Sequence, residues 1–115
     1  MNSDWMNWAL PAVMIAAFLI YKRLGQIAPA KAKELVKSGA KLVDVRSPAE
    51  FQSGHLPGAV NIPLGSLASK VGSLGAKDQP VVLYCASGTR SAMARSTLKG
   101  QGFSQVYNLG AMHRW

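Results

Sequence analysis

The run Pro80-Val81-Val82-Leu83-Tyr84, together with the loop and helix pattern directly after it, constrains the fold of this chain more than any other feature. Short, apolar and rich in β-branched residues, it reads as a strand buried on both faces, as in a parallel sheet. Ser91 to Lys99 then carries helix formers (Ala92, Met93, Ala94, Arg95, Leu98, Lys99) before Gly100 and Gly102. Between strand and helix lies Cys85-Ala86-Ser87-Gly88-Thr89-Arg90, which opens on the only cysteine of the chain. A turning loop converges its backbone N–H groups, and the helix behind it adds the positive end of its dipole. Such a cradle holds an oxyanion, and the same field favours a thiolate, the reactive form of a cysteine. A lone cysteine is ordinarily a small buried hydrophobe. Here the small polar neighbours, Gly88 and the planar cation of Arg90 favour a nucleophile, with residues 86–90 binding its substrate.

With 115 residues there is room for one domain and little else. Lys and Arg total 13 against 5 acids, a net charge of +8. The lysines are scattered singly and no aromatics interleave with them, so nucleic acid is not the expected partner. One cysteine cannot form an intramolecular disulfide, and His55 and His113 lack metal-ligand spacing with Cys85. Neither a metal nor a cofactor is expected.

From Trp5 to Tyr21 the chain is uncharged, with Trp5, Trp8 and Tyr21 near its ends and Lys22-Arg23 directly after. As a helix it would extend roughly 25 Å against a bilayer core of about 30 Å. A signal peptide would want positive charge in Met1-Asn2-Ser3-Asp4, and an in-plane helix would want a polar face that residues 9–20 lack. Residues 5–23 are therefore expected to be a transmembrane anchor in the inner membrane. Lys22 and Arg23 would keep the globular part in the cytoplasm. A periplasmic location results instead if residues 1–30 are a cleaved signal.

Leu24 to Ala28 reads as a linker, and Pro29 suits the first turn of a helix through Lys37 that Gly39 ends. Lys41 to Arg46 reads as a strand, and Ser47-Pro48-Ala49-Glu50 as a capping box opening a short helix. Gly54 to Gly58 is a loop, Ala59 to Ile62 a short strand, and Leu64, Leu67, Val71 and Leu74 recur at helical spacing. Gln105 to Leu109 is a last strand before a final turn, Gly110 to Trp115. Strands alternating with helices predict a small α/β domain with a parallel sheet. Asp44, Arg46 and Glu50 suit a carboxylate–guanidinium network better than acid–base work. His55 suits a structural hydrogen bond. His113 and Trp115 would either line the pocket mouth or pack the chain end.

Taken together, Leu42-Val43-Asp44-Val45-Arg46-Ser47-Pro48-Ala49-Glu50-Phe51, Gly54-His55-Leu56-Pro57-Gly58-Ala59-Val60-Asn61-Ile62-Pro63, the cysteine loop and Gly110-Ala111-Met112-His113-Arg114-Trp115 resemble the rhodanese family, the single-domain thiosulfate and persulfide sulfurtransferases. The resemblance spans residues 27–115. It implies a rhodanese-like domain with a five-stranded parallel sheet flanked by helices, and a Cys85 that carries a persulfide sulfur. It also implies small-molecule partners: thiosulfate or a persulfide as donor, cyanide or a thiol as acceptor, with an acceptor protein as a further possibility. Ala86 departs from the pattern, since many thiosulfate-active members carry a basic residue there; Ala111 stands where glycine is common. Two rivals remain. Cysteine phosphatases and arsenate reductases share the cysteine-to-arginine loop, but phosphatases of similar fold have one residue more in it and a histidine in place of Tyr84. A membrane-tethered binding module without catalysis would not need both Cys85 and Arg90.

Overall fold

The computed structural model describes residues 4–115, apart from the side chains of residues 22–24. The readings placed on residues 1–3 and on the Lys22 and Arg23 charges therefore lie outside the described residues. Most helices and strands of the expected pattern fall where the local signals put them. Pro29 opens a helix that runs to Lys37 (α2; α1 is the N-terminal helix Met6–Leu24). Strand β1 comes next at Lys41–Asp44, then α3 at Pro48–Gln52, β2 at Val60–Asn61, β3 at Val81–Cys85, α4 at Thr89–Gly100 and β4 at Val106–Ala111. The helically spaced Leu64, Leu67, Val71 and Leu74 sit on two short 3₁₀ turns, Leu64–Ser69 and Val71–Leu74. Gly65 and Gly72 interrupt that stretch and Gly75 ends it, which weakens a continuous α-helix.

The sheet is parallel throughout, in the order β2-β1-β3-β4. Successive residues of a strand point to opposite faces, and β3 shows what this does. Val81, Leu83 and Cys85 join the core under α4, with Val43, Leu67, Leu74, Ala94, Leu98 and Phe103. Val82 and Tyr84 join the other core, with Ala32, Leu42, Leu56 and Leu109. Cys85 ends the central strand on the α4 side, so its thiol meets the start of that helix.

Two expectations are corrected. Among the described residues the sheet has four strands, not five. The place of a fifth is held by one parallel bridge, Gln26 to Asn108, with the Ile27 N–H donating to the Asn108 carbonyl at 2.9 Å. Only residues 25–28 separate α1 from α2, too few to extend a strand. The second correction concerns the anchor. Residues 6–24 are helical and the large apolar side chains from Met6 to Tyr21 are exposed, Met14 to 71% and Trp8 to 68%. Even so, no helix among the described residues is long and apolar enough to cross a membrane.

Candidate active site

Helix α4 begins without a side-chain cap, because Gly88 occupies the N-cap in a left-handed conformation (φ +96°) that only glycine adopts freely. The first N–H groups of a helix need acceptors. The Cys85 sulfur supplies one: the Gly88 N–H donates to Sγ at 2.9 Å and the Ser91 N–H at 3.4 Å. Sulfur thus takes the place of the capping oxygen. The arrangement aims two backbone donors and the positive helix end at a buried sulfur, which stabilises negative charge on it.

Ser91 completes this contact. Its side chain is fully buried, its Oγ lies 3.4 Å from Sγ, and its hydroxyl donates to the Gly88 carbonyl at 3.1 Å. Ser91 Oγ thus lies within hydrogen-bond reach of Sγ, in a contact where either atom can be the donor. Sequence reasoning ends the substrate loop at Arg90 and misses Ser91. A serine in the first turn of a helix, three residues after a glycine, is the signal that could have found it.

Arg90 does not point its fork at the sulfur. It makes a two-pronged pair with Glu50, Nη1 to Oε1 at 2.7 Å and Nη2 to Oε2 at 2.9 Å. Glu50 also closes the capping box of α3: the Ser47 hydroxyl and N–H both donate to Oε1, and the Glu50 N–H donates back to Ser47 Oγ. The Arg90 hydrogen bonds, aided by those from Ser47, hold the Glu50 carboxyl down at about 2. Arg90 is correspondingly raised. Ala86, Ser87 and Thr89 are exposed around the loop, while Gly88 is buried beneath them.

The Asp44–Arg46 pair stands apart from Glu50 as a separate buried unit. Arg46 meets both Asp44 oxygens at 2.7–3.0 Å and extends to the Gly54 carbonyl at 2.7 Å, tying the end of β1 to the loop before β2. Its guanidinium is raised by the Asp44 hydrogen bonds. Asn61 brackets the same turn through the Asp44 and Arg46 carbonyls. Tyr84 points away from the thiol, accepts the Leu56 N–H at 3.1 Å, and is pushed by burial up to about 12. His55 bonds the Phe51 carbonyl through Nδ1 at 2.8 Å and stacks on the Phe51 ring. Trp115 packs beside α2 under the Lys33 ammonium, 5.5 Å from the ring centre. Among the described residues no three potential ligands cluster to hold a metal.

The geometry is that of a buried sulfur at the head of a helix, under two backbone N–H donors. Comparisons with known proteins identify the domain that carries it. Residues 28–115 match the rhodanese-like domain. The protein YqhL of Bacillus subtilis, itself uncharacterized, is 38% identical over 96% of this chain and 94% of its own length. The thiosulfate sulfurtransferase GlpE of Pseudomonas syringae is 40% identical over 78% of this chain and 85% of its own. The solved structure of the human single-domain sulfurtransferase TSTD1 superimposes with a TM-score of 0.71 at 27% identity, covering 79% of this chain and 94% of that one. With the domain matched almost end to end and a cysteine held at the head of α4, the chain belongs to the rhodanese family and is a sulfurtransferase.

Proposed function

We propose that Cys85 takes the sulfane sulfur of thiosulfate or a persulfide and hands it to cyanide or a thiol. The observation that carries this reading is the buried Sγ under the Gly88 and Ser91 N–H groups. The Cys85 thiolate attacks the outer sulfur of the donor and forms a new S–S bond. The donor's own S–S bond breaks, and its electron pair leaves on sulfite or on a thiolate. The cradle then holds the anionic persulfide until cyanide or an acceptor thiolate attacks the outer sulfur, which returns Cys85 to a thiolate. Charge is conserved at each step and no general base is required. That agrees with His55, whose Nδ1 is engaged by the Phe51 carbonyl. Residues 86–90 surround the incoming donor, and Arg90, gripped by Glu50, sets the shape of their loop rather than serving as a free cation.

The test is mass spectrometry of the protein after exposure to thiosulfate or glutathione persulfide. One added sulfur on Cys85, removed by cyanide as thiocyanate and absent from Cys85→Ser, is the expected result. An unmodified Cys85 with every donor would leave only a binding module.

We further propose that α1 attaches the protein to the cytoplasmic face of the inner membrane. Support comes from the apolar side chains that α1 leaves exposed and from Lys22-Arg23 in the sequence after it. No helix among the described residues is long and apolar enough to cross a membrane, so the attachment proposed is to one face only. An acceptor protein at that surface would be a natural partner for the exposed loop.

A further inference from the structure

Thr89, Ala92, Met93 and Ser96 recur at the spacing of one helix face, opposite the face of α4 (Ser91, Ala94, Leu98) that is buried in the domain. Across from them stand Phe18 and Tyr21 of α1, and between the two helices lies an open cleft of about 160 Å³. An apolar cavity of roughly 150 Å³ accepts a benzene ring. The cleft is lined by two rings, a thioether and a methyl, with the hydroxyls of Thr89 and Ser96 as its polar side chains besides the Tyr21 phenol. Thr89 belongs at once to this cleft and to the loop around Cys85. Within that loop Arg90 is held by Glu50 and Ala86 carries no charge, so the loop's own side chains offer a dianion such as thiosulfate little that a neutral donor would miss.

We infer that the cleft receives the carbon body of an organic persulfide donor, a ring-sized apolar group, while its terminal sulfur reaches Cys85. This rests on the reading of Cys85 as the sulfur carrier. For a donor R–S–SH, the Cys85 thiolate attacks the terminal sulfur and Cys85–S–SH forms. The donor's own S–S bond breaks and its electron pair leaves on R–S⁻, whose organic group then departs from the cleft. Nothing is oxidised or reduced overall.

The experiment uses the full-length protein with benzyl persulfide, cysteine persulfide and thiosulfate as donors and cyanide as acceptor, each kcat/KM normalised to the uncatalysed reaction. Benzyl persulfide is expected to exceed cysteine persulfide by tenfold or more. Met93→Glu, which puts a charge in the cleft outside the catalytic loop, is expected to remove at least tenfold from benzyl persulfide and to leave thiosulfate within twofold. Equal use of the two persulfides, or an equal loss with all three donors, overturns the inference and leaves the Cys85 chemistry standing. If no donor places sulfur on Cys85, the proposed function itself fails, a distinguishable result. Should Met93→Glu not fold, benzyl methyl sulfide, which can accept no sulfane sulfur, replaces it as a probe of the unmutated protein. Competitive inhibition against benzyl persulfide supports the cleft, and no inhibition at its solubility limit overturns it.

Discussion

One oxygen of Glu50 accepts from the Ser47 N–H, the Ser47 hydroxyl and Arg90 Nη1, while the other accepts from Arg90 Nη2. A single carboxylate therefore opens α3 and braces the cysteine loop. Its folded-state value of about 2 lies below the ordinary 4.5, so the pair stabilises the fold fully above 4.5. That contribution fades as pH falls from 4.5 toward 2. Glu50→Gln should melt below the wild type at pH 7, and the gap should close across that window in thermal unfolding curves. A gap that persisted at the acid end of the window would mean that Glu50 acts by packing alone. The side chains of both partners remain over a third exposed, so added salt should also narrow the gap. At Ala86, a cation would face the incoming donor. Ala86→Arg should lower the KM for thiosulfate about fivefold or more, from a Coulomb gain on the order of 1 kcal/mol, and change a neutral donor less. Equal changes for charged and neutral donors in steady-state kinetics would count against a loop that reads donor charge.

At the scale of elements, the strand–loop–helix unit β3–α4 owes its tightness to the four residues between Cys85 and Arg90. A glycine inserted after Ala86 should release the Gly88 and Ser91 donors from Sγ and lower sulfur transfer by on the order of a hundredfold, the scale of losing preorganised donors. The unmodified protein should hydrolyse aryl phosphates negligibly; turnover faster than its sulfur transfer would reassign the enzyme. Strand β4 depends on a different irregularity. Its register against β3 slips between Leu83 and Tyr84, and Gly110 takes φ +94° there while its N–H bonds Asn108 Oδ1 at 2.8 Å. A Cβ on Gly110 would lie 2.6 Å from the Gln26 side chain. Gly110→Ala should cost about 1–3 kcal/mol in chemical denaturation, from the backbone conformation with the displaced Gln26 contact. Ala111 beside it sits in ordinary extended geometry (φ −74°, ψ 141°), which explains why alanine serves at a position where glycine is common in the family. The capping box at Ser47 and the Pro29 start of α2 were legible in the sequence because a cap is made within one turn of chain. The missing fifth strand was not. Residues 25–28 make a single bridge to Asn108, and the room left there depends on where the two flanking helices stop and start.

For the whole molecule, the extents of 60 × 31 × 27 Å reflect α1 standing outside the two cores. A chain beginning at Gln26 should therefore keep sulfur transfer from thiosulfate within about threefold and lose both vesicle binding and any preference for aryl persulfides. The full chain should float with anionic vesicles in a density gradient, and its failure to do so would remove membrane attachment. The sequence by itself determined the α/β alternation, the cysteine at a strand end before a helix, and the rhodanese resemblance. Each of these is written in neighbouring residues, through periodicity, caps and glycine placement that act over a few positions. Three features came only with the tertiary structure. Glu50 chose Arg90, 40 residues away, over the Arg46 four residues before it, because strand order brings α3 to the cysteine loop and Asp44 already holds Arg46. Sγ of Cys85 became the cap of α4, which depends on how far β3 reaches before the chain turns. Finally, α1 came to stand across a cleft from the outer face of α4, between segments some 70 residues apart. Contacts at such separations are set by which faces the sheet leaves open, and no local pattern in the chain encodes that.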